Sequence, residues 1–162
     1  MMVRVDVGAE YRRWGPELAH YASVLVGHDD AMDVVHEAVV GSLSSGRLDR
    51  VDDLRAYWIR SVTNRAASWH RSNGRRARRE VRVARWPTAD VHADTITSER
   101  TGALEALSAL TVQQRAVIYL TYWSDLDPAR VAQLLGVSDG TVRKQLARGR
   151  ELLRKELGDG PR

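Results

Sequence analysis

The chain contains no cysteine, no phenylalanine and only four prolines. Without thiols, disulfides and thiolate metal sites are excluded, which accords with a reducing compartment. With aromatics at only 6% of residues, any core must be built mainly from Leu, Val and Ala, a composition that leans towards helices. No uninterrupted apolar run approaches the roughly 18 residues that cross a bilayer. The N-terminal MMVRVDVGAEYRRWG also lacks the apolar stretch of a secretory signal. The expected location is the cytoplasm, with no membrane insertion. Signatures of catalysis are missing as well. The five histidines are scattered, and there is no Gly-rich phosphate loop, Ser-His-Asp pattern or CxxC. HEAVV (36–40) begins like a zinc-protease motif, but Val40 stands where the second His is required. Neither an enzyme, a cofactor, a metal nor a small-molecule substrate is expected.

What is present is an uneven distribution of charge over 162 residues that are 43% hydrophobic. The net charge of +4 is modest. From Arg60 to Arg85, however, Glu80 is the only acid among many arginines, and Arg143, Lys144, Arg148, Arg150, Arg154 and Lys155 form a second basic stretch. Acids gather instead at Asp29, Asp30, Asp33 and Glu37. Two basic surfaces and one acidic one fit a polyanion partner plus a separate protein partner. On charge alone, solvated helix faces fit equally well.

Periodicity divides the chain into two helical bodies. In the first, Leu18, Ala22 and Leu25 recur at helical spacing, as do Met32, Val35, Val39 and Leu43, with Asp29 or Asp30 available as a cap. Gly41 and SSGRLDR (44–50) break that pattern. A long helix then places Leu54, Trp58, Val62, Ala66 and Trp69 on one stripe and Arg55, Arg60, Asn64 and Arg71 on the other. WPTADVHADTITS (86–98) has no stripe and reads as an extended linker exposed to proteolysis, with a structured loop as the alternative. The second body begins with Leu104, Leu107 and Leu110, followed by a helix with Ala116, Val117 and Leu120.

The most specific signal is DPARVAQLLGVSDGTVRKQLARGRELLRKEL (127–157). Asp127 suits an N-cap and Pro128 a first helical turn, giving a short helix to about Leu135. Ala132 is small where crossing helices approach closely. Gly136 supplies a positive φ for the turn, and Val137 plugs the angle. Ser138 or Asp139 caps a second helix with Val142, Leu146 and Leu153 on its inner face. The arrangement is a helix-turn-helix whose second helix starts basic. Ser138, Thr141, Arg143, Lys144, Ala147 and Arg148 are the candidate residues facing a major groove. An ordinary helical hairpin with a basic surface is the blander reading.

These residues carry a resemblance. ALEALSALTVQQRAVIYLTYWSDLDPARVAQLLGVSDGTVRKQLARGRELLRKEL (103–157) resembles region 4 of sigma-70 family factors, particularly the extracytoplasmic-function (ECF) group, whose second helix reads the −35 promoter element. DDAMDVVHEAVV (29–40) is similar to region 2.2, which docks on a coiled coil of the polymerase largest subunit. DLRAYWIRSVTNRAASWHRSNGRR (53–76) is similar to regions 2.3 and 2.4, which handle the −10 element and open the duplex. The resemblance implies an all-α chain of two small domains. Residues 1–85 would be a region-2-like bundle, 86–99 a flexible linker, and 100–162 a region-4-like helix-turn-helix domain. It implies core RNA polymerase and promoter DNA as partners, with an anti-sigma factor as a further one. Asp30, Asp33, His36 and Glu37 would then dock on polymerase. Arg60, Asn64, Arg65, Arg71, Arg75 and Arg76 would meet the −10 element and its phosphates.

The sequence departs from the family in places. His36 stands where Gln is usual, Leu43 where an aromatic is common, and residues 44–52 contain no aromatic. Capturing an unpaired base favours a stacking ring or a fitted pocket. Tyr57, Trp58 and Trp69 are the candidate rings, but the helical stripe points Trp58 and Trp69 to the core, and weak promoter melting would follow. A stand-alone helix-turn-helix regulator is the alternative function. A response-regulator output protein would need a phosphoacceptor pattern in a βα-alternating half, which this chain lacks. An adaptor that binds polymerase without melting DNA is the third reading.

Overall fold

The computed structural model describes residues 5–80 and 106–158. Helix α1 spans Val7–Val26, α2 His28–Ser44 and α3 Leu54–Glu80, with a 3-10 turn at Leu48–Arg50 before α3. Helix α4, Val112–Ile118, continues as a π turn over Tyr119–Trp123, followed by α5, Pro128–Leu135, and α6, Asp139–Leu157. Among the described residues there is no strand, as the composition suggests. The stretch 86–99 lies outside these residues.

The first half is a three-helix bundle. Asp6 caps α1 by accepting from the Ala9 N–H at 3.0 Å, and α1 passes through Pro16. Leu18, Tyr21, Ala22 and Leu25 are fully buried against Val35, Trp58, Val62 and Ala66. Trp58 is therefore core. Its indole N–H donates to Ser42 Oγ at 3.0 Å, and Tyr11 meets it edge-on at 6.3 Å. Trp69 is half-buried, as is Tyr57, and both pack against the core.

Helix α2 differs from the sequence expectation in three ways. Its N-cap is Gly27 with φ +92°, so Asp29 and Asp30 occupy the first turn and neither is the cap. It runs through Gly41 to Ser44, because packing on α1 and α3 outweighs the glycine's weak helix preference. Its buried arc is Ala31, Val34, Val35, Ala38, Val39 and Ser42, whereas Met32 and Leu43 face solvent. The expected Met32–Leu43 stripe is thus rotated away from the core at both ends.

The second half is built largely from local rules. Thr111 and Gln114 form a reciprocal capping box at the start of α4 (3.2 and 3.0 Å). Asp127 caps α5 by accepting from the Arg130 N–H at 2.9 Å, with Pro128 in the first turn. Gly136 has φ +67°, the left-handed conformation that the turn requires. Ser138 caps α6, accepting from the Thr141 N–H at 3.2 Å. Gly149 lets α6 cross α4 closely: a Cβ there would lie 2.7 Å from Ile118 Cδ1.

Both expected halves are present, and they also pack on each other. The Arg115 guanidinium, 4% exposed, donates to the carbonyl oxygens of Leu110 (3.2 Å), Ser108 (3.3 Å) and, across the junction, Leu25 (2.8 Å). Burial lowers its pKa to about 10, which leaves it charged at neutral pH. His70 Nε2 lies 2.6 Å from the same Leu25 oxygen. Tyr119 lies 5.2 Å ring-to-ring from Tyr21, with its hydroxyl 2.9 Å from His20 Nδ1. Burial pushes the Tyr119 hydroxyl up to about 12.

Candidate nucleic-acid and polymerase interfaces

In the helix-turn-helix, Val131, Ala132, Leu134, Leu135, Val142 and Leu146 are buried, and Val137 is partly buried at the corner. This seats α6 with Arg143, Lys144, Ala147 and Arg148 exposed. Their i, i+1, i+4, i+5 spacing puts them on one face. Among the described residues no ion pair engages these three cations. Ser138 and Thr141 sit at the helix entrance with their hydroxyls 2.9 Å apart, so Ser138 is first a cap. The outcome is an open basic face at the N-terminal end of a helix, the geometry that presents side chains to base edges.

The basic residues of α3 divide into two groups. At about 100° per residue, Arg60, Asn64 and Arg71 share an arc of roughly 40°, with Arg65 further round. Arg60 donates to the Gln133 carbonyl oxygen of α5 at 3.0 Å. Asn64 is exposed within a cleft of about 430 Å³ between α3 and the helix-turn-helix corner. Arg71 donates to Ser68 Oγ at 3.0 Å. Arg65 instead approaches Glu37 of α2 at 3.5 Å, an exposed and therefore weak pair. Arg75 and Arg76 belong to the last turns of α3.

Helix α2 presents the third surface. Asp33, His36 and Glu37 are exposed and Asp30 is half-buried. Asp30, Asp33 and Glu37 rim a groove of about 460 Å³ whose other wall includes Arg65 and Trp69. Beside the acids, Met32, Val40 and Leu43 are 42%, 58% and 51% exposed, with His36 between them. Sequence reasoning found the acids but placed Met32 and Leu43 in the core. An apolar strip bordered by charge is the composition of a protein interface, with its dry centre and polar rim.

Two further features had no sequence signal strong enough to find them. Trp123 and Tyr122, at the end of the π turn, are 70% and 57% exposed. Tyr122 carries the Arg150 guanidinium 5.4 Å above its ring. Arg130 of α5 forms an ion pair at 2.9 Å with Asp53, whose other oxygen accepts from the Ala56 N–H at the start of α3. Partial burial works against ionisation of Asp53, but the Ala56 N–H and Arg130 together hold its carboxyl below the usual range. Among the described residues there is no cluster of ligands able to hold a metal ion. Nor is any described helix long and apolar enough to cross a membrane.

The fold and these surfaces define an all-helical DNA-binding protein of the helix-turn-helix class. Comparison with known proteins narrows the class. Residues 10–76 match the family model for sigma-70 region 2, and residues 102–153 match that for sigma-70 region 4. The RNA polymerase sigma-E factor of Streptomyces avermitilis is 33% identical over 132 residues, covering 79% of this chain and 71% of the relative. The ECF RNA polymerase sigma factor SigM of Mycobacterium tuberculosis is 28% identical over 137 residues, 80% and 65% of the two chains. A solved structure of the sigma factor RpoE with the anti-sigma factor NepR, from Bartonella quintana, shares the fold. Its TM-score is 0.75 at 24% identity, covering 96% of this chain and 99% of that one. The chain belongs to the sigma-70 family of RNA polymerase sigma factors, in its ECF group.

Proposed function

We propose that this sigma factor docks on core RNA polymerase through the outward face of α2 and reads promoters through α3 and α6. Residues 1–85 form the region-2 domain, 86–99 the connection and 100–162 the region-4 domain. The observation that carries the docking role is the pairing of Asp30, Asp33 and Glu37 with the exposed strip of Met32, Val40 and Leu43. Acids alone would be explained by solubility, but acids beside exposed apolar side chains would not. Arg143, Lys144 and Arg148, with Ser138, Thr141 and Ala147, meet the −35 element. Arg60, Asn64, Arg65, Arg71, Arg75 and Arg76 meet the −10 element and its phosphates. The protein supplies positioning and no catalysis, and it works in the cytoplasm beside polymerase. An anti-sigma factor, as in the structurally similar RpoE complex, is a further partner.

Melting is the step for which this chain is least equipped. The 3-10 turn between α2 and α3 buries Leu48, and Trp58 is committed to the core. Base capture there rests on a fitted pocket more than on a stacking ring, which favours easily opened promoters. Run-off transcription with purified core polymerase on genomic promoter fragments tests the function. Discrete transcripts that require the protein are expected. Tight DNA binding with no transcript and no co-elution with core would leave a stand-alone regulator.

Alanine at Arg143 or Lys144 is expected to weaken −35 binding by about 1–3 kcal/mol where the side chain reads a base bidentately. A phosphate contact would instead weaken all sequences alike and flatten the salt dependence. Footprints across a salt series distinguish the two, and an unchanged footprint would misplace the recognition face.

A further inference from the structure

Helix α6 contains two glycines, and the fold accounts for only one of them. Gly149 is buried where α6 crosses α4, against Ile118. Gly140 is exposed in the first turn of the helix. Its φ is not positive, so an L side chain would be unstrained there. A Cβ on Gly140 would meet nothing closer than Ser138 Oγ at 3.9 Å, an ordinary contact that leaves the cap undisturbed. Glycine is nevertheless the poorest helix former after proline, because it has the most backbone freedom to lose. Nothing inside the chain offsets that cost.

The position of Gly140 on the helix says where the offset lies. At about 100° per residue, Gly140, Lys144 and Ala147 fall within roughly 60° of one another, on the side opposite the buried Val142, Leu146 and Gly149. Arg143 stands about 60° to one side of Gly140 and Arg148 about 80° to the other. The outermost line of the helix is thus low at Gly140 and Ala147, with a long cation on each flank. Further along the same line comes Glu151, paired with Lys155 at 3.2 Å, an acid that phosphates would repel. The stretch open to DNA therefore runs from Gly140 to Arg148, about 12 Å at 1.5 Å per residue, close to the width of a major groove.

We infer that Gly140 sets the depth to which α6 enters the major groove: its bare backbone is the point of closest approach to the base edges, and the flanking Arg143 and Arg148 reach their partners only at that depth. The inference rests on the proposed role of α6 at the −35 element. A Cβ adds about 1.5 Å to the outermost line of the helix. Hydrogen bonds from the flanking cations hold over a range of only about 0.5 Å, so a helix standing off by one methyl group stretches them beyond it. Stability and recognition are therefore opposed at this position. A residue that improves the helix impairs the reading of DNA.

Two variants test this in holoenzyme. Gly140→Ala is expected to raise the urea midpoint of the free protein, since alanine is the better helix former, and to weaken promoter binding about threefold to tenfold. Gly140→Val carries a stiff branched side chain that cannot swing aside, so it should weaken binding further with little change in the midpoint. The probe is the genomic fragment that holoenzyme protects most strongly, beside the same fragment with its −35 segment scrambled. The loss should be confined to the intact fragment. Unchanged affinity in both variants would overturn the inference, as would an equal loss on both fragments. A lowered midpoint for Gly140→Ala would show that the fold itself needs the glycine, and would overturn it too. Arg148→Ala tests the underlying reading separately: an unaltered −35 footprint would remove the recognition role of α6, whatever the glycine variants show.

Discussion

Truncation of Trp58 to alanine is expected to destabilise the protein by about 3–5 kcal/mol, a large part of the roughly 5–15 kcal/mol that holds a typical domain folded. The ring is completely buried in the core shared by α1, α2 and α3. Its loss also leaves Ser42 Oγ without the indole donor in a buried site, although that hydroxyl keeps its own bond to the Val39 carbonyl oxygen at 2.5 Å. Urea unfolding followed by circular dichroism measures the change. Trp58→Phe retains most of the volume and forfeits one hydrogen bond, so a loss nearer 1 kcal/mol is expected. Equal losses for the two variants would mean that the hydrogen bond, and not the volume, is what the core requires. Because α2 rests on this ring, the alanine variant should also lose polymerase association near its unfolding midpoint and not before it.

Reversal of two charges on α2 is expected to have the largest functional effect. Asp33 and Glu37 are exposed, one turn apart, at the rim of the groove beside the Met32–Val40–Leu43 strip. Against a basic polymerase surface, Asp33→Lys/Glu37→Lys replaces two attractions with two repulsions. Measured couplings of close interfacial charges imply a loss on the order of hundredfold or more in core affinity. Stability should hardly change, since the one ion pair involved, Glu37 with Arg65, is long and solvent-exposed. The measurement is a core-polymerase pull-down beside the parent protein, with helical content checked, and a DNA footprint of the recognition helix as the internal control. A folded double variant that binds core normally would remove the docking role of α2. Loss of core binding with retained DNA binding would separate the two activities within one chain.

The second half was legible residue by residue because its signals are local. Asp127, Pro128, Gly136 and Ser138 each act within about four positions of themselves, through caps and a left-handed turn, and each takes the role that its type and spacing suggest. The same holds for the buried stripe of α3, where Leu54, Trp58, Val62 and Ala66 follow helical periodicity. Periodicity was insufficient in α2. Met32, Val35, Val39 and Leu43 share an apolar character and a plausible spacing, yet which arc is covered depends on where α1 and α3 lie. The rotation of that arc turned two apparent core residues into part of an exposed apolar strip. Gly41 within α2 likewise reads as a break, and only burial of the surrounding faces carries the helix through it.

The amino-acid sequence by itself determined the helical class, the helix-turn-helix with its exposed basic second helix, and the family. The first two are written in short-range spacing, caps and charge, and the third in motifs that resemble those of known sigma factors. Tertiary structure alone decided which face of α2 stays open, that Arg115 serves the junction with the first half, and that Arg60 rests on the helix-turn-helix corner. Those outcomes depend on partners distant in the chain, 90 positions for Arg115 with Leu25 and 73 for Arg60 with Gln133. An arginine bound for a distant backbone carbonyl carries no mark in its own neighbourhood that distinguishes it from one bound for phosphate.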